Sequence, residues 1–182
     1  MGDSESLIGK TSSEIVELIS PHVERAFRGR QVARWVIDRN AASFAEMTDL
    51  PKTTRENLAL RFSLDEPRVL DSVASSDGSR KYLFGLSDGA TVEAVAMQEG
   101  AKATFCLSSQ AGCAVGCTFC VTGALGAGRN LRADEMVGQY RVMLRALDPE
   151  IERVNLVFMG MGEPLLNTSN LGRALDVLSE RV

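Results

Sequence analysis

The sequence predicts an α/β chain: a small helical domain, then a β-hairpin, then two βα units laid on a parallel sheet. Three observations carry that expectation. Apolar residues recur at three- and four-residue spacing through the first third of the chain. Two short β-rich runs then flank an Asp-Gly pair, a hairpin signal. Beyond them, strand-like and helix-like segments alternate with no turn signal between them, as βα units do.

In order along the chain, SSEIVELIS, RGRQVARWVIDR and KTTRENLALRF read as helices, with Ser12 and Thr53 as N-caps and Pro51 just ahead of the third. They outline a helical domain over residues 11–63. KYLFGL and TVEAVAM, joined by SDGA with Asp88 and Gly89 at the turn, form a hairpin connector over residues 64–100. From 101 to 182, ATFCLSS reads as a strand entering a cysteine loop, RADEMVGQYRVMLRALD as a helix, RVNLVFMGMG as a buried apolar strand and NLGRALDVLSERV as a further helix.

With 182 residues, 45% of them apolar, the chain can bury a core. No apolar run approaches the ~18 residues that span a bilayer, and the opening MGDSESLIGK is polar and acidic, unlike a signal peptide. The expectation is a cytoplasmic protein that does not enter membranes, where thiols stay reduced and a cysteine cluster serves a metal or catalysis. The net charge of −4 argues against indiscriminate coating of nucleic acid. Between His22 and Arg61, however, eight cations face five carboxylates, a local +3 able to meet phosphates. The same charges also suit a solvated helix face.

All four cysteines lie within CLSSQAGCAVGCTFC, and Cys113, Cys117 and Cys120 are spaced C-x3-C-x2-C. Gly112 and Gly116 let the backbone curl so that three sulfurs can face one centre. A structural zinc ion would need a fourth ligand, from Cys106 or the lone His22. A 4Fe-4S cluster on three thiolates instead leaves one iron open to a chelating ligand. The spacing favours the cluster, because zinc ligands usually come as two C-x2-C pairs. Downstream, GMGEP is either a turn that needs small residues or a glycine-rich binding motif.

The cysteine triplet at the end of the first strand of a βα series, with MGMGEP after the next strand, resembles the radical S-adenosylmethionine superfamily. More closely, CLSSQAGCAVGCTFCVTGALGAGRNL, FRGRQVARWV, FAEMTDLPK, DGATVEAV and VFMGMGEPLLN together resemble the ribosomal RNA adenine-carbon-2 methyltransferases, from about Ile15 onward. The resemblance implies a partial (β/α)6 barrel, of which this truncated chain carries the first two βα units. It implies a 4Fe-4S cluster held by Cys113, Cys117 and Cys120, and S-adenosylmethionine bound along Gly160, Met161, Gly162 and Glu163. It further implies that Glu93 takes the proton from the adenine carbon and that Cys106 is the thiol that releases the product from a methyl-carrying cysteine. The implied partners are 23S ribosomal RNA, transfer RNA for some members, and an electron donor such as a flavodoxin-type protein. Arg28, Arg30, Arg34 and Arg39 are the candidates for phosphate contact.

Read without the resemblance, Glu93 is an outward-facing strand residue, Cys106 a small buried hydrophobe and Trp35 part of a buried stripe with Val32, Val36 and Ile37. A paralogous branch methylates carbon 8 of the same adenine. No cysteine follows Cys120, so the expectation is that this chain ligates a cluster without completing methyl transfer. Two readings from other classes remain beside it: a zinc-stabilised RNA-binding module without catalysis, and a radical enzyme acting on a small molecule.

Overall fold

The computed structural model describes residues 4–182. It contains two compact units, one comprising the chain up to Asp65 together with Arg173–Val182, the other Glu66–Gly172.

The first unit is largely helical. Strand β1 (Glu5–Ser6) leads to helix α1 (Ser12–Ile19), then α2 (Phe27–Ile37), α3 (Lys52–Ala59) and strand β2 (Phe62–Ser63). The N-cap of α1 is Thr11 rather than the expected Ser12, and it closes a capping box with Glu14. Thr53, expected as a cap, lies inside α3, which starts from Pro51 because the fixed φ of proline is suited to a helix entrance. The apolar tail of KTTRENLALRF leaves the helix: Leu60 is exposed, and Phe62 turns inward on β2, which pairs in parallel with β1. The core gathers Leu7, Ile15, Ile19, Val32, Ala33, Val36, Phe44, Met47 and Leu58. Helices α1 and α2 pack closely at Gly29, where a Cβ would lie 3.3 Å from the Val16 backbone.

Trp35 does not join the buried stripe of α2. It flanks Val32, Ala33 and Val36, half-buried, with its indole N–H donating to Asp49 Oδ1 at 2.6 Å and Arg39 stacked 4.3 Å over the ring.

The second unit is built on a five-stranded sheet in the order β3 (Arg68–Ala74), β4 (Arg80–Gly85), β5 (Thr91–Glu99), β6 (Lys102–Cys106), β9 (Arg153–Val157). All pairings are antiparallel except β6 with β9, which is parallel. The crossover between those two strands contains the cysteine loop and α5 (Ala133–Arg145), the expected βαβ connection. The β4–β5 turn has Gly89 at φ +88°, with the Ala90 N–H capped by Asp88 Oδ1.

The hairpin is not a free-standing connector. It is hydrogen-bonded on one side to β3, a strand absent from the sequence expectation, and on the other to β6. The division between units therefore falls at Glu66 rather than at 64 or 100.

Alternation along β5 and β6 buries Val92, Ala94, Ala96, Ala103 and Phe105 on one face, where Tyr140 of α5 meets Phe105 with ring centroids 6.0 Å apart; Met136, Val137 and Met143 of α5 are buried as well. Gly138 of α5 admits the Pro67 ring so closely that a Cβ would come within 2.4 Å of its Cδ. Strand β9 is half-exposed rather than the expected buried strand, because only β6 pairs with it among the described residues. The last helix, α6 (Thr168–Ser179), begins in this unit and continues into the other. No helix among the described residues is long and apolar enough to cross a membrane.

Candidate active site

The site is built where β6 and β9 end. Each strand runs into a polar loop, Leu107–Gln110 and Gly160–Asn167, and the two loops are stitched together. Gly160 N–H donates to the Leu107 carbonyl at 3.1 Å. The Met161 carbonyl accepts from Ser109 N–H at 2.9 Å and Gln110 N–H at 3.1 Å. Met161 N–H donates to Ser108 Oγ at 2.8 Å, and Glu163 N–H donates to Gln110 Oε1 at 2.8 Å.

Two glycines of GMGEP are sterically required. Gly162 has φ +98°, and a Cβ there would come within 2.4 Å of Gln110 Cβ. At Gly160 a Cβ would lie 2.7 Å from Ser108 Oγ. Glu163 caps the following turn, its Oε1 accepting from Leu165 N–H at 3.1 Å. A carboxylate retains acceptor capacity beyond that one bond.

Sequence reasoning missed the buried polar residues behind these loops. Gln139 of α5 is fully buried, accepts from Ser108 N–H at 3.0 Å and donates to the Ser108 carbonyl at 3.2 Å. Asn167 donates to the Ser109 and Leu131 carbonyls at 2.9 and 2.8 Å. Their signal was a polar residue at an inward helical position, which becomes interpretable only once the opposing loop is known.

The cysteine loop is closed at its base. Strands β7 (Gln110–Ala111) and β8 (Arg129–Asn130) pair antiparallel, and Cys113 N–H donates to the Gly126 carbonyl at 3.0 Å. Gly112 and Gly116 both have positive φ, 96° and 68°, the curled backbone their placement suggested. At Gly128 the Ala111 carbonyl occupies the space of any Cβ. A short helix, α4 (Val121–Ala124), follows Cys120, and the loop tip is open, with Phe119 89% and Val121 77% exposed.

Arg129 anchors the loop's return. It donates to Glu135 from Nη1 and Nη2 at 2.8 and 2.7 Å and to Asp88 Oδ2 from Nε at 2.5 Å. The guanidinium holds the Asp88 carboxyl down at about 2.

Cys113, Cys117 and Cys120 carry free thiols. Among the described residues no three His, Cys, Asp or Glu side chains are gathered so as to hold a metal ion, so the three sulfurs are close in sequence but not assembled on one point. The donor set fits an iron-sulfur cluster. Three unpaired thiols share one closed loop, and N–H groups of Gly123 and then Thr122 draw the Cys120 thiol below its usual range, against some burial. His22, the alternative fourth zinc ligand, belongs to the first unit, its ring 5.5 Å from Phe62.

Glu93 and Cys106 share one face of the sheet. Glu93 and Val95 are two apart on β5, and Val95 pairs with Cys106, a diagonal relation that places the two residues ~7–8 Å apart. Glu93 is half-exposed and paired with Lys81 at 2.9 Å. Its own backbone is held on both sides, its carbonyl accepting from Ser108 Oγ at 2.5 Å and its N–H donating to Met161 Sδ at 3.3 Å. Burial pushes the Cys106 thiol up, partly offset by the Met159 N–H. Neither residue is in the buried face formed by Val92, Ala94 and Phe105.

In the first unit, the four candidate arginines divide, three on α2 and Arg39 just beyond its end. Arg30 and Arg34 are exposed one turn apart, whereas Arg28 donates to Gln31 Oε1 and the Asp49 carbonyl, both at 2.8 Å, and Arg39 lies on Trp35. Arg30 and Arg34 therefore present the freer cationic pair on that helix.

Residues 6–64 match the family described as the ribosomal RNA large subunit methyltransferase N-terminal domain. The chain is 41% identical to the dual-specificity RNA methyltransferase RlmN of Campylobacter fetus, over 96% of this chain and 52% of that protein. It is 46% identical to the probable RlmN of Thermus thermophilus, over 90% of this chain and 47% of that one. A crystal structure of a radical SAM methyltransferase from Sphaerobacter thermophilus superimposes with a TM-score of 0.89 at 38% identity, covering 97% of this chain and 52% of that one. The chain thus spans about half the length of the curated relatives it matches. Residues 6–64 thus carry the N-terminal domain that this family model describes, and the remainder, the cysteine loop included, lies within the stretch over which the chain is similar to about half of each of these methyltransferases.

Proposed function

We propose that this chain is the part of a radical S-adenosylmethionine RNA methyltransferase that holds the cluster, receives the methionine end of the cofactor and begins the grip on RNA. The observation that carries the reading is the closed cysteine loop joined by hydrogen bonds to the GMGEP turn through Gln110. Cys113, Cys117 and Cys120 would hold a 4Fe-4S cluster. When bound, that cluster supplies the electron that cleaves S-adenosylmethionine. The Gly160–Glu163 turn, fixed against Leu107–Gln110, would lie along the methionine moiety, with a Glu163 oxygen accepting from its ammonium group. Supporting this part of the reading, the Glu163 carboxylate is oriented by Leu165 N–H and is only half-buried.

Glu93 would take the proton from carbon 2 of the target adenine. Its position on the half-exposed sheet face, diagonal to Cys106, puts a base and a thiol on the same side of the sheet. Lys81, paired with that carboxylate, fixes its orientation. Cys106, as the thiolate, would attack the sulfur of a second cysteine that carries the product, the S–S bond forming as the carbon–sulfur bond to the product breaks and the released carbon takes a proton; burial, which raises the Cys106 thiol, opposes its ionisation. The substrate would be 23S ribosomal RNA, with transfer RNA as a second substrate; that relatives are dual-specificity RNA methyltransferases supports RNA as the substrate class. The parallel pair β6 and β9 with α5 would begin a partial barrel.

The test is mass spectrometry of adenosine from ribosomal RNA treated with a polypeptide carrying this segment within the full length of its relatives. Methylation at carbon 2 is expected, and E93Q and C106A should each abolish released product. A product methylated at carbon 8, or turnover unchanged by E93Q, would contradict the assignment.

A further inference from the structure

Pairing of β5 with β6 stops at Val95 and Cys106, and the following residue, Leu107, turns its N–H to the Val157 carbonyl at 2.8 Å. Glu93 therefore sits just past the end of that ladder, on an edge where its backbone groups still require partners. Side chains supply them. The Ser108 hydroxyl donates to the Glu93 carbonyl at 2.5 Å, and the Met161 thioether accepts from the Glu93 N–H at 3.3 Å. The same Ser108 oxygen accepts from Met161 N–H at 2.8 Å. A hydroxyl is both donor and acceptor, so one atom ties the Glu93 backbone to the Gly160–Glu163 turn. Ser108 is itself held: it is fully buried, and Gln139 of α5 accepts from its N–H at 3.0 Å and donates to its carbonyl at 3.2 Å. At Gly160 a Cβ would lie 2.7 Å from Ser108 Oγ, so the turn is packed directly on that oxygen.

We infer that Ser108 is a positioning residue for Glu93, setting the base against the turn that would receive the methionine end of the cofactor. Glu93 is then fixed from both ends, its backbone by Ser108 and Met161 and its carboxylate by Lys81 at 2.9 Å. As the C–H bond at carbon 2 breaks, its electron pair stays with the ring and the proton passes to a Glu93 oxygen, a transfer that requires hydrogen-bond reach. Displacing a reacting group by about 1 Å can cost ~10²-fold in rate. Alanine at position 108 would leave the Glu93 carbonyl and the Met161 N–H without their shared partner, loosening base and turn in one change. The inference rests on the reading of Glu93 as the base under the proposed function; the hydrogen bonds of Ser108 do not.

The test uses the cluster-loaded, full-length polypeptide carrying this segment, with RNA bearing hydrogen or deuterium at carbon 2 of the target adenine. S108A should lower kcat per loaded cluster by about ten- to a hundredfold with KM for RNA unchanged. Its turnover should be severalfold slower on the deuterated RNA, because proton removal becomes the slow step. In the present chain, without cluster or RNA, S108A should speed amide hydrogen exchange severalfold at Met161, while Gly160, bonded to the Leu107 carbonyl, exchanges as before. M161L removes only the thioether acceptor and conserves volume; it should slow turnover less and show the same deuterium sensitivity, and it carries the kinetic test if S108A does not fold. An unchanged kcat, a slowed turnover indifferent to deuterium, or exchange accelerated at Gly160 and Met161 alike would overturn the inference. E93Q measured alongside separates the two readings. Inactive E93Q with S108A at the wild-type rate removes the role of Ser108 alone, whereas full turnover by E93Q removes the base itself.

Discussion

Cys106 shows how one side chain's surroundings set its chemistry. Burial raises its thiol, so the group resists ionisation near neutral pH. In a variant retaining Cys106 alone, the alkylation rate should rise with pH around a midpoint above that of the same chain unfolded in urea. The folded and unfolded profiles should converge if burial is not the cause. The sign for stability follows: a raised folded value means the contribution is present below the unfolded value and is lost as pH rises through the folded one.

Asp88 shifts the other way. Arg129 holds its carboxyl at about 2, so the Asp88–Arg129 pair persists above the ordinary carboxylate range and breaks as pH falls through about 2. A carbon-detected titration of Asp88 should return toward the ordinary value in R129M; an unchanged value would mean that Arg129 is not the cause. At Gly162, G162A should destabilise the chain by ~2–4 kcal/mol in urea unfolding, because it combines positive φ with a Cβ pressed on Gln110.

At the scale of elements, the cysteine loop depends on its base. Arg129 spans Asp88 of the β4–β5 turn and Glu135 of α5, and the Glu135 side chain is 4% exposed. R129M strands a buried carboxylate, with Arg132 its remaining cationic neighbour at 3.5 Å. The expected cost is ~1–3 kcal/mol, with part recovered when E135Q is added, since a neutral amide is cheaper to leave unpaired. A full loss with no recovery would place the effect elsewhere.

The helices and hairpin strands were legible in the sequence because each has its own periodicity, and the C-x3-C-x2-C spacing with two glycines stated the loop's curl outright. What could not be read were contacts whose partners are far apart in sequence. Thr11 displaced Ser12 as a cap through local geometry that several hydroxyls could have supplied. Strand β3, exposed nearly throughout, lacks the apolar alternation that reveals a strand. The buried Gln139 and Asn167 read as ordinary polar helix and turn residues until loops 107–110 and 160–167 are brought together.

As a whole, the molecule joins a helical unit, locally basic between His22 and Arg61, to a sheet unit that bears the cysteine loop. If Arg30 and Arg34 meet phosphates, R30A/R34A should weaken binding to a ribosomal RNA fragment across sequences and lower the slope of log K against log salt by ~0.7–0.9 for each phosphate no longer neutralised. An unchanged slope would return these arginines to a solvated face.

The central claim is that Cys113, Cys117 and Cys120, and not Cys106, carry an iron-sulfur cluster. Anaerobic reconstitution with iron and sulfide, followed by metal and sulfide analysis and a visible spectrum, tests it most directly. The predicted result is about four irons and four sulfides per chain with a broad brown absorbance, retained in C106A and abolished in each of C113A, C117A and C120A. A colourless protein holding about one zinc, or one whose metal disappears with C106A, would contradict it.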